Sequence, residues 1–81
     1  MIQTHEHVTA EECLISVYRQ SKISGFARLN FISARLNTDF STTQNMLKKL
    51  SDKGLIKIES YGMVFLTDYG KSHAEALQNK S

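Results

Sequence analysis

At 81 residues, with 41% hydrophobic and 22% charged side chains, the chain has the make-up of one ordinary globular domain; folding would bury only about 60–65% of its unfolded surface, which leaves little room for a deep catalytic cleft. No run approaches the roughly 18 apolar residues of a transmembrane helix, and the opening MIQTHEHV has no apolar core to read as a signal peptide, so the expectation is a cytoplasmic chain without membrane contact. Ten Lys and Arg against eight Asp and Glu give a formal charge of +2, which neither demands nor excludes an anionic partner and leaves the decision to how the charges are distributed.

Residues 1 to 8 lack periodicity and read as a flexible tail, ahead of a single domain over residues 9 to 81. His5 and His7 flank Glu6 there, but two ligands on a tail fall short of the closed set of three or four that a metal demands, so neither metal nor cofactor is expected. The first structural signal is Thr9-Ala-Glu-Glu12, a Thr-x-x-Glu capping box. Behind it Leu14, Val17 and Tyr18 recur at i, i+3 and i+4 with Cys13 alongside, which predicts an amphipathic helix to about Ser21. The lone Cys13 cannot form an internal disulfide and has no paired histidine to activate it, so it reads as a core filler.

Gly25 ends the following loop, and Phe26-Ala-Arg-Leu29 leads into LNFISARL, where Leu29, Phe31, Ile32 and Leu36 make a shorter apolar stripe. Asn37-Thr-Asp-Phe-Ser41 is rich in turn and cap formers, with Ser41 the expected N-cap of a third helix. Two short helices across a tight polar turn have the spacing of a helix-turn-helix. At about 100° per residue, the third helix sets Thr43, Met46, Leu47 and Leu50 on one side and Ser41, Asn45, Lys48, Lys49 and Asp52 on the other. Gly54 closes it at C′.

Leu55 to Ser60 then alternates apolar and polar, and Met63-Val-Phe-Leu66 is a second β-prone run, with Tyr61-Gly62 as the turn of a hairpin. Thr67 caps a last helix carrying Tyr69, Ala74 and Leu77. Helix, helix-turn-helix, hairpin, helix is the order of a winged helix-turn-helix. The fold class is therefore α+β and mostly helical: three helices, a β-hairpin wing and a C-terminal helix.

The stretches TAEECLISVY, GFARLNFISARL, STTQNMLKKLSDKGLIKI and YGMVFLTDYGKSHAEAL resemble the N-terminal DNA-binding domain of the diphtheria-toxin-repressor and manganese-transport-regulator family, from about Thr9 to Leu77. The likeness is strongest at Lys49-Leu-x-x-x-Gly-Leu-Ile and Phe65-Leu-Thr-x-x-Gly70, motifs shared with antibiotic-resistance-repressor-like winged helices. It implies a regulator of transcription that binds double-stranded DNA with its third helix in the major groove and its hairpin on the backbone. Asn45 matches the family's base-reading amide, while Thr42, Thr43 and Gln44 fall where phosphates or thymine methyls are met. That family takes divalent metal through ligands on the first helix and on a dimerisation helix beyond the matched region. Glu12 matches one first-helix position, and its partners have no counterpart in these residues.

The residues support the same surface independently. Asn45 and Gln44 carry amides that pair with adenine in bidentate fashion, Ser41 and its hydroxyl neighbours reach phosphate, and Lys48 and Lys49 neutralise backbone charge. The free amides at that helix's start would favour a phosphate. Arg28, Arg35 and Lys57 extend the basic footprint, and Tyr61 at the wing tip is either a phosphate or minor-groove contact or a turn residue tucked onto the sheet. A homodimer is expected, because one domain offers few phosphate contacts and two half-sites add. The small net charge, with Asp39, Asp52, Glu59 and Asp68 near that face, also fits a winged helix that binds a protein partner instead. No nucleophile with a base, paired carboxylate or phosphate-binding glycine loop is recognisable, so an enzyme is not expected.

Overall fold

The computed structural model describes residues 9–79, so the tail histidines and Glu6 lie outside the described residues. Helix α1 (Ala10–Ser24) starts on the predicted capping box, with Glu12 N donating to Thr9 Oγ1 at 3.2 Å and Thr9 N donating to Glu12 Oε1 at 3.3 Å. It runs three residues past Ser21, because the residue able to stop it is Gly25. That glycine takes φ 90° and donates its amide to Ser21 O at 2.8 Å, a left-handed cap that costs a residue without Cβ nothing.

A two-residue strand β1 (Ala27–Arg28) follows, then α2 (Leu29–Leu36), α3 (Phe40–Asp52), strands β2 (Ile56–Ile58) and β3 (Met63–Leu66), and α4 (Asp68–Asn79). The sheet is antiparallel in the order β1-β3-β2, with Ala27 opposite Val64 and Lys57 opposite Phe65. The winged helix-turn-helix is as expected, with one addition. Strand β1 turns the hairpin into a three-stranded sheet, and two residues are too few to carry a period of two. The hairpin closes on Glu59 N donating to Met63 O at 2.8 Å, around a tight turn over Ser60–Gly62.

The core gathers one face of each helix. Cys13, Leu14 and Val17 of α1 meet Ile32 of α2, Leu47 and Leu50 of α3, Val64 of β3 and Ala74 of α4, all buried. Phe31 does not join them and is 46% exposed. It sits about 200° around α2 from Leu29, so it cannot share the stripe that buries Leu29 and Ile32. Tyr69 on α4 is likewise exposed, while Leu77 is half-buried.

The Phe65-Leu-Thr-x-x-Gly70 motif has a packing reason. The Thr67 hydroxyl accepts the Gly70 amide at 2.9 Å, capping α4, and donates to the Gly54 carbonyl at 2.7 Å, with the Leu55 carbonyl 3.0 Å away. Thr67 thereby ties the start of α4 to the end of α3. Gly70 is buried against the Leu55 backbone, where any side chain would meet the carbonyl.

Candidate nucleic-acid interface

Helix α3 stands on Thr43, Met46, Leu47 and Leu50, all buried, and turns Ser41, Thr42, Gln44, Asn45, Lys48 and Lys49 to solvent. The buried set recurs at three- and four-residue intervals, so the two faces follow from the helical period. One residue expected at DNA is corrected here. Thr43 is 0% exposed, and its hydroxyl donates to Asp39 O at 3.0 Å, which leaves nothing for a ligand to touch.

The N-cap is also corrected, from Ser41 to Asp39. Asp39 has extended backbone, and its Oδ1 accepts Thr42 N at 2.8 Å, so the helix begins at Phe40 and Ser41 lies in its first turn. The expected attraction of phosphate to free amides here is reduced, because the protein's own carboxylate already takes one of them. Hydrogen bonds from the Thr42 hydroxyl and then the Thr42 amide hold the Asp39 carboxyl below its ordinary value of 3.8.

A carboxyl depressed on folding stabilises the fold above its unfolded pKa, and that contribution is lost as pH falls through the folded value. Asp39→Asn keeps a good cap but has no such charge. The wild type is therefore expected to melt above the variant near neutral pH, and the gap to close as pH falls below 3.8, read by circular dichroism across an acid series. A gap independent of pH would show that the charge contributes nothing.

Around α3 lie the other predicted contacts. Lys57 is exposed on β2, Arg35 is exposed in the last turn of α2, and Arg28 is exposed on β1 with its guanidinium carbon 5.5 Å from the centroid of the Phe26 ring. Tyr61 is 91% exposed, which rules out the tucked position. Asp52, Glu59 and Asp68 are exposed as well. Two residues not singled out in the sequence, Asn30 and Phe40, line a cleft of about 210 Å³ together with Arg28, Leu29, Tyr61 and Gly62. The available signal for Phe40 was an aromatic ring inside an otherwise polar turn.

Among the described residues no three His, Cys, Asp or Glu side chains converge as ligands. Glu12 is engaged with the Thr9 amide, and burial pushes the Cys13 thiol up to about 12, so it stays protonated. Among the described residues no helix is long and apolar enough to cross a membrane.

Comparison with known proteins agrees with the geometry. The domain model described as "Iron dependent repressor, N-terminal DNA binding domain" matches residues 7–64. No curated protein sequence matches. Among solved structures, AF1382 from Archaeoglobus fulgidus superposes with a TM-score of 0.82 at 23% identity, over 88% of this chain and 81% of that one. T. acidophilum IdeR superposes with a TM-score of 0.85 at 24% identity, over 98% of this chain but only 36% of that one. At these identities the superpositions establish the fold, whereas the domain model spans well over half of the sequence. The chain therefore belongs to the family of N-terminal DNA-binding domains of iron dependent repressors.

Proposed function

We propose that the protein is a transcriptional regulator that binds duplex DNA by sequence, with α3 in the major groove and the wing on the backbone. The observation that carries this reading is the outward face of α3. Two neighbouring amides, Gln44 and Asn45, two hydroxyls, Ser41 and Thr42, and two ammonium groups, Lys48 and Lys49, are all exposed on one helix with a buried opposite face. The amides suit adenine edges, and the hydroxyls and lysines suit the phosphates that fix register. Arg28 and Lys57 add charge on the sheet beside it. In this reading the protein acts in the cytoplasm, beside the DNA.

Fluorescence anisotropy of a labelled mixed-sequence duplex tests it. With about six phosphates neutralised, affinity should fall roughly a thousandfold between about 50 and 200 mM salt. No binding at the lower salt overturns the reading and favours a winged helix that docks on a protein partner.

The reading includes a homodimer, since two half-sites add their binding free energies where one gives little. Helices α1 and α4 pack on each other while α3 keeps its polar side exposed, and we take the outer faces of α1 and α4 as the dimer surface. Light scattering at micromolar concentration should give twice the chain mass. A monomer mass there overturns the dimer.

A further inference from the structure

Strand β2 (Ile56–Ile58) ends the sheet, since the order β1-β3-β2 gives it a neighbour on one side only. Its open edge has a definite pattern. Glu59 N donates to Met63 O at 2.8 Å and Leu55 O accepts Thr67 N at 3.1 Å, both on the β3 side, so the period of two turns the Lys57 backbone groups towards β3 and those of Ile56 and Ile58 outwards. Among the described residues neither isoleucine makes a backbone hydrogen bond outside the sheet. The side chains alternate as well. Ile58 falls on one face of the strand and is 42% exposed, while Lys57 and Glu59, both exposed, share the other; Glu59 continues the extended backbone at φ −112° and ψ −177°.

A bare edge is a template for another strand, and an edge lysine ordinarily deters one. Glu59, two positions on, changes that. Between two copies of this strand running antiparallel across a twofold axis, a register centred on Ile58 sets Lys57 of each copy opposite Glu59 of the other, and Ile58 exchanges both backbone bonds with its counterpart. Registers centred one residue to either side set Lys57 against Lys57 or Glu59 against Glu59, and like charges directly opposite repel. The charges therefore select one register for pairing with itself.

We propose that the free edge of β2 is a self-recognition surface, on which a second copy of this chain adds its own β2 antiparallel, with Ile58 at the twofold axis and Lys57 paired with Glu59 in both directions. One sheet then runs through both wings. The contact uses neither α1 nor α4, so it adds a second interface to the dimer proposed above and joins neighbouring copies in a row. Three residues per strand bury far less than the roughly 1,200 Å² of a stable complex, so the contact holds only at high local concentration.

Disulfide trapping in the absence of DNA tests the pairing, so that its outcome is independent of the duplex reading, in which Lys57 also meets the backbone. Under mild oxidation at high protein concentration, Ile58→Cys should give a crosslinked dimer on a non-reducing denaturing gel, because paired Cα atoms about 5.5 Å apart suit a disulfide. Cys13 is 0% exposed and stays out of the reaction. Added to Ile58→Cys, Lys57→Glu or Glu59→Lys should each slow crosslinking about tenfold, since two attractive pairs become two repulsive ones. The exchange Lys57→Glu/Glu59→Lys should restore the rate, and so should mixing the two single reversals, whose charges again oppose. Melting curves check that every variant folds. No crosslink in Ile58→Cys overturns the proposal. A rate indifferent to both reversals marks random collision and overturns it too, as does a folded exchange variant that stays slow.

Discussion

Lys48→Glu/Lys49→Glu is expected to lower duplex affinity by about two orders of magnitude or more at moderate salt, the largest effect any surface substitution here should have. Two neutralised phosphates become two repulsions, and both changes fall on the outward face of α3, where each lysine is exposed. Because the buried face of Thr43, Met46, Leu47 and Leu50 is untouched, the variant should still fold. A small stability loss is expected, since Lys49 lies in the last turn of α3, where a cation complements the helix dipole by about 0.3–1 kcal/mol. Anisotropy and thermal melting on the same samples separate the two effects. Binding within a factor of a few of the wild type would move the DNA surface away from α3 altogether.

The second large effect falls on the fold. Gly70→Ala in α4 is expected to destabilise by roughly 3 kcal/mol or more, and so to lower the melting temperature by about 12 °C or more. In an exposed helix the same change stabilises by up to about 1 kcal/mol, because alanine restricts the unfolded chain. Here sterics outweigh propensity. A methyl group on Gly70 would fall on the Leu55 carbonyl oxygen and within 2.8 Å of its carbon, and these are backbone atoms that cannot rotate aside. To make room, α4 would have to lift, stretching the Thr67 hydrogen bonds to Gly54 and Leu55. Urea denaturation measures the loss. A variant as stable as the wild type would show that α4 can shift without cost.

Several features needed only their neighbours in the chain. The Thr9 and Glu12 box, Gly54 after α3 and the Thr67 cap were legible because each joins residues within one turn of helix, and so was the inward face of α3. The helix-turn-helix followed from two such periods and a three-residue turn, Asn37–Asp39. Asp39 and Ser41 are both good N-caps, so local propensity does not separate them. Asp39 prevails with Asn37 in the left-handed conformation ending α2 and Thr43 facing inward, its hydroxyl on Asp39 O. The family's pattern puts Thr43 among the contacts, whereas its helical position puts it in the core.

By itself, then, the sequence determined the winged-helix order and the two faces of α3, since capping and helical periodicity act over three or four residues. The tertiary structure alone decided that Ala27–Arg28 pairs with β3, that Gly70 rests on the Leu55 backbone, and that Arg28, Phe40 and Tyr61 share one cleft. Those partners lie from about a dozen to more than thirty positions apart, and no local period records which distant segments packing will bring together.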